Sequence, residues 1–259
     1  MHYAEFVEHG SSIVDRLTTT QTPPVWWIVL VTGVAALLTV MYRPTWRLTR
    51  NVVTIVHEGG HAAVALLTGR RLNSIRLHSD TSGLTVSSGK PYGLGMVLTT
   101  MAGYPAPAIL GLGYAALLGA HRITLMLWTA IALLAILLLK VRNGFGLLSV
   151  FVLGAVIFGV SWFGTDALQA GFAYFAAWFL LLAAARPVVE LQRNRRHEPN
   201  SDADQLARLT RIPGLVWVLF FGLVAVAALV VGGRLLLQDI TGVCVPWFTQ
   251  STCPAPTTP

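Results

Sequence analysis

His57 and His61 stand four residues apart with Glu58 beside the first, in the stretch His57-Glu58-Gly59-Gly60-His61. On a helix that spacing puts both imidazoles on one face, a turn apart, so both reach one metal ion while the carboxylate stands next to it. The chemistry this HExxH pattern offers is zinc-assisted hydrolysis, with His57 and His61 as neutral ligands and Glu58 as the base that takes a proton from water. A zinc site of that kind takes three protein ligands and keeps a fourth position for water, whose pKa falls to about 7. The third ligand must come from elsewhere. Asp202 and Asp204 in Ser201-Asp202-Ala203-Asp204 are candidates, although acidic residues also favour the first turn of any helix. Asn143 is a neutral amide, suited to a helix end or a substrate contact rather than to zinc.

The elements that position these residues are apolar. Hydrophobic residues make up 54% of the 259-residue chain and charged ones only 11%, with a mean hydropathy of +0.65. A soluble domain needs more charge at its surface, so the chain reads as an all-α polytopic membrane protein. Seven runs, residues 25–42, 51–68, 94–120, 123–139, 145–163, 168–185 and 213–237, are long enough for a bilayer crossing of about 17–25 residues. Glu58 is the one carboxylate inside them, and an ionisable group within a span marks a functional site. The structural alternative is a polar cluster that joins helices. Gly59 and Gly60 weaken a helix, which has a use where another helix or a substrate approaches closely, though glycine is also common in membrane helices.

Between the second and third runs the period changes. Ile75 and Leu77, then Leu84 and Val86, alternate with polar residues around Ser79-Asp80-Thr81-Ser82-Gly83, which predicts a β-hairpin within 70–92. Gly103-Tyr104-Pro105-Ala106-Pro107 predicts a kink or break in the third run. Asp166 is expected as the N-terminal cap of the sixth. The longest polar stretch, 186–212, separates the last two runs.

The net charge of +7 comes from short basic segments between apolar runs, which set membrane orientation and do not point to nucleic acid. An N-terminus inside the cell places 13 of the 18 Lys and Arg residues in the cytoplasm, with Arg43, Arg47 and Arg50 as the dissent. That orientation gives a cytoplasmic segment 1–24, an anchor 25–42 that is not a cleaved signal peptide, a membrane domain 51–237 and an extracytoplasmic tail 238–259. Cys244 and Cys253 then face an oxidising exterior that favours a disulfide over two thiols.

His57 to Gly69, Gly83-Leu84-Thr85-Val86, Ala102 to Pro107, Arg142-Asn143-Gly144-Phe145-Gly146 and Ser201-Asp202-Ala203 together resemble the site-2 protease family of intramembrane zinc metalloproteases, and within it the B-like branch of the family-50 metallopeptidases. The resemblance covers most of residues 51–237. It implies zinc on His57 and His61, Glu58 as base, and a hairpin that receives an unwound substrate strand, with Leu84, Thr85, Val86 and Asn143 as substrate contacts. The substrate it implies is a membrane protein or peptide in the lipid bilayer. The family's usual third ligand is an Asp in a Leu-Asp-Gly tripeptide, which this chain lacks, and Asp202 in its Ser-Asp-Ala setting takes that place. Two other functions remain open: an inactive relative that binds partners, and a metal transporter, which needs several ligand clusters where the spans offer one. The sequence leaves the oligomeric state open.

Overall fold

The computed structural model describes residues 14–194 and 201–241, so Cys244 and Cys253 lie outside the described residues. The elements are α1 (Trp26–Met41), α2 (Arg43–Leu67), β1 (Arg71–Leu77), β2 (Gly83–Ser88), α3 (Leu94–Met101), α4 (Pro105–Gly119), α5 (Ile123–Leu138), α6 (Gly144–Phe163), α7 (Asp166–Ala183), α8 (Ala185–Asn194), α9 (Asp202–Thr210) and α10 (Gly214–Thr241). All seven apolar runs are helical, with one hairpin between the second and third. Among the described residues three helices, Gly144–Phe163, Asp166–Asn194 and Gly214–Ile240, are long and apolar enough to cross a membrane alone. Counting the bent pairs α1–α2 and α3–α4 as one span each raises that to five, with α5 as a shorter apolar helix. Leu38, Leu148, Phe151 and Leu223 are exposed on the outer faces, as lipid contact requires.

Both bends have local causes. Pro44 opens α2 in its first turn, and the chain turns by 99° between α1 and α2. The third apolar run breaks at residues 102–104 and resumes at Pro105, where a missing N–H costs nothing, with a bend of 68°.

Side-chain pairing defines two ends of the bundle. At one, the Gln21 backbone N–H donates to the His121 carbonyl at 2.8 Å, Asp239 lies 3.7 Å from His121, and Arg16 pairs with Asp166 at 2.6 Å. Thr165 caps α7, and Asp166 sits one residue inside as part of the first turn. At the other end Arg50 and Arg186 both pair with Glu190, at 3.3 and 3.2 Å, Trp46 donates to the same carboxylate, and Arg186 also donates to the Val40 carbonyl. A seven-span order sets Arg43, Arg47 and Arg50 across the membrane from Arg186, and Gln21 across it from Asp239. The contacts place each pair at a shared end. The α1–α2 bend of 99° accompanies this, and by length and composition that pair is a broken span or a re-entrant loop.

The hairpin lies along α2. β1 and β2 pair antiparallel, Ile75 opposite Thr85 and Leu77 opposite Gly83, with a bulge between Leu72 and Ser74. Leu72, Ile75 and Leu77 pack with Ile55 and Ala62 of α2 and Val150 of α6. The other edge of β1 is already taken: Ile75 exchanges backbone bonds with Lys140 and Arg142, and the Asn143 side chain bonds both the N–H and the C=O of Leu77, at 3.1 and 2.6 Å. β2 has β1 on one edge and, among the described residues, no strand on the other.

Candidate metal centre

His57, Glu58 and His61 project from the second half of α2, and Asp202 is the first residue of α9. Although 140 residues separate them, α9 is carried to α2 by packing. Ala203 and Leu206 are wholly buried against Val97, Met101 and Tyr104 at the α3–α4 break and Phe221 of α10. Ser201 caps α9 through the Asp204 backbone N–H, and its hydroxyl donates to the Asp204 carboxylate at 2.6 Å. That separates the two aspartates: Asp204 turns back to its own helix cap, while Asp202 points into the site.

His57 Nε2 and His61 Nε2 are 3.0 Å apart, and Asp202 Oδ2 lies 3.3 Å from the first and 3.2 Å from the second. Tetrahedral zinc with ligands at about 2.0–2.1 Å sets its donors roughly 3.3 Å from one another, so the triangle has the size that ion needs. Asp202 Oδ2 is buried with the two imidazole Nε2 atoms beside it at 3.3 and 3.2 Å, and a carboxylate oxygen so placed is costly unless a cation meets it. Burial alone pushes the Asp202 carboxyl up, yet His61 and His57 beside it outweigh that and hold it below the usual carboxylate range. Among the described residues this is the one group of three His, Cys, Asp or Glu side chains that could share an ion.

The helix break contributes twice. In an unbroken helix the Thr99 carbonyl would accept from residue 103; here it accepts the Ala102 N–H at 3.3 Å and the Nδ1–H of His61 at 2.7 Å, which fixes the tautomer that leaves Nε2 free for metal. Gly103 supplies the space: a Cβ there would lie 2.5 Å from His57 Cε1 and 2.6 Å from His57 Nε2, on top of the donor nitrogens. The other two glycines differ. A Cβ at Gly60 would meet Ala106 and come within 2.8 Å of the Ala102 carbonyl, so Gly60 admits the next helix, whereas at Gly59 it would make only an ordinary contact. Tyr104 stands edge-on to the His57 ring at 4.9 Å and stacks on Phe221.

Glu58 is 4% exposed and lies outside the ligand triangle. The Thr85 hydroxyl of β2 donates to its Oε2 at 2.6 Å, and a Cβ on Gly83 would overlap its carboxylate. Of the residues expected to meet substrate, Leu84 and Val86 face away from α2 and are exposed, Thr85 faces Glu58, and the Asn143 amide is committed to Leu77. Sequence reading missed Thr99 and the clearance at Gly103; only the proline-marked break signalled that the helix ladder is rearranged there. An apolar cavity of 1290 Å³ runs along the opposite face of α2, past Val56, Gly59 and Ala63, and does not include the His57, Glu58, His61 and Asp202 side chains.

An apolar helical bundle that brings two histidines and an aspartate around an ion-sized gap, with a carboxylate alongside, fits a membrane protein with a candidate metal site. The sequence model of the Peptidase M50B-like family matches residues 30–232, so the chain belongs to that family, the site-2 protease group of membrane metallopeptidases. No curated protein and no solved structure matches the chain.

Proposed function

We propose that this protein is a zinc-dependent intramembrane protease that hydrolyses peptide bonds of membrane-embedded or membrane-proximal substrates. The observation that carries the reading is the triangle of His57 Nε2, His61 Nε2 and Asp202 Oδ2, with edges of 3.0 to 3.3 Å. Zinc held there supplies a Lewis acid that lowers the pKa of water and polarises a carbonyl. Glu58 takes the proton of the attacking water and delivers it to the departing amine nitrogen as the C–N bond breaks. A transmembrane helix hides its peptide bonds in its own ladder, so substrate must arrive extended. The free edge of β2 gives such a strand replacement hydrogen bonds, with Leu84 and Val86 as the side chains it meets. In this conformation Asn143 serves to close the β1 edge, which directs an incoming strand to β2. The turnover-free alternative drew its strength from a missing third ligand, and Asp202 beside both imidazoles weighs against it.

The test is cleavage of a single-span peptide by the purified full-length protein. Activity is expected to track bound zinc, vanish on chelation and return on zinc addition. Cleavage that survives complete metal removal overturns the reading.

The basic residues favour an orientation. Arg43, Arg47 and Arg50, the hairpin arginines, Lys140, Arg142 and the arginines of α8 and α9 gather at the end holding the metal centre, against Arg16, Arg122 and Arg234 at the other. The positive-inside rule then puts the metal centre and hairpin on the cytoplasmic side, with residues 14–25 and the end of α10 outside. In a background without native cysteines, an impermeant thiol reagent on intact cells should label Thr20→Cys and spare Ser82→Cys. The reverse pattern excludes this orientation.

A further inference from the structure

The hairpin does more than offer an edge. Strand alternation turns Gly83 and Thr85 toward α2 and Leu84 and Val86 away from it. On the inward face the Thr85 hydroxyl has one proton and two acceptors within reach, Glu58 Oε2 at 2.6 Å and the Glu58 backbone carbonyl at 3.2 Å. The shorter, charge-assisted bond takes it. Gly83 makes this approach feasible, because a Cβ there would overlap Glu58 Oε1 and lie 2.5 Å from Cγ and 2.7 Å from Cδ. Thr85 itself is held firmly: its partner across the ladder is Ile75, wholly buried and tied on its far side to Lys140 and Arg142.

We propose that Thr85 is a positioning residue for Glu58, its hydroxyl fixing the carboxylate through Oε2 in the orientation that exchanges a proton with water. This rests on the protease reading above and reassigns Thr85 from substrate contact to orientation of the base. The same strand then pairs with substrate along its outer edge and holds the base with its inner face, so docking and proton transfer are linked through one residue.

The experiment compares Thr85→Val, which keeps shape and removes the donor, with Thr85→Ser, which keeps the donor, in the purified full-length protein. Thr85→Val is expected to lose about 10- to 100-fold in kcat, the range for a hydrogen bond to a charged group, with KM and zinc content unchanged. Thr85→Ser is expected to recover most of kcat. A rise in KM at constant kcat overturns the proposal in favour of a substrate contact, and equal losses in both variants overturn it in favour of methyl packing. A double-mutant cycle on thermal unfolding with Glu58→Ala reads the contact without catalysis, and additive effects there also overturn it. Coupling in that cycle with no cleavage by the wild type sinks the protease reading and leaves the Thr85–Glu58 hydrogen bond a structural contact. Wild-type cleavage by Thr85→Val removes the positioning role alone.

Discussion

Glu58→Gln is expected to bind zinc as the wild type does and to lose cleavage by about 100- to 10,000-fold, the usual contribution of a positioned acid–base group. The substitution keeps the volume of a side chain that is 4% exposed, and its amide oxygen still accepts from Thr85. What it removes is the ability to take a proton. Because Glu58 lies outside the ligand triangle, metal content should not change, and His57, His61 and Asp202 should hold the ion as before. Zinc analysis beside initial rates on one preparation checks both halves. Cleavage at the wild-type rate eliminates Glu58 as base, while loss of zinc shows that its carboxylate has a structural part in the metal centre.

Asp202→Ala is expected to lower zinc affinity by more than about 100-fold, beyond the 10- to 100-fold typical of groups that only support a ligand, and to abolish cleavage with it. The protein should remain folded. α9 is held by Ala203 and Leu206, which are wholly buried, and by the Ser201 cap, none of which depends on the Asp202 carboxylate. Removing Asp202 also relieves a carboxylate oxygen that is costly to bury without a cation, which offsets part of the lost packing. Asp204→Ala is the control: it should cost about 1 kcal/mol through the weakened cap and leave zinc in place. Equal zinc in Asp202→Ala and wild type would refute the ligand assignment. Loss of zinc in Asp204→Ala alone would move it two residues along the chain.

Several features were legible because their signals are local. The His57–His61 spacing fixes a shared helix face whatever surrounds it. Alternation at Ile75 and Leu77 announced β1, and Pro105 announced the break, because dihedral preferences act within a few residues. The apolar runs announced helices for the same reason, but not how many cross. Residues 43–50 carry three arginines and continue directly into the HEGGH helix, so neither length nor hydropathy shows that the chain bends by 99° there. Without that bend a parity argument over seven runs put the two chain ends on opposite sides. Contacts of His121 with Gln21 and Asp239 bring those three residues to one end of the bundle.

By itself, then, the sequence determined an apolar helical membrane protein with two histidines on one helix face, a neighbouring carboxylate and a hairpin, since each follows from residue type at short spacing. The tertiary structure decided which aspartate joins them. Asp202 and Asp204 are equivalent by composition and distance along the chain, and only the burial of Ala203 and Leu206 against the α3–α4 break aims one inward. It also decided that Thr85 meets Glu58, that Thr99 orients His61 and that Asn143 closes a strand edge. Those are contacts across 27, 38 and 66 residues of sequence, set by how helices and strands pack, and no local preference encodes them.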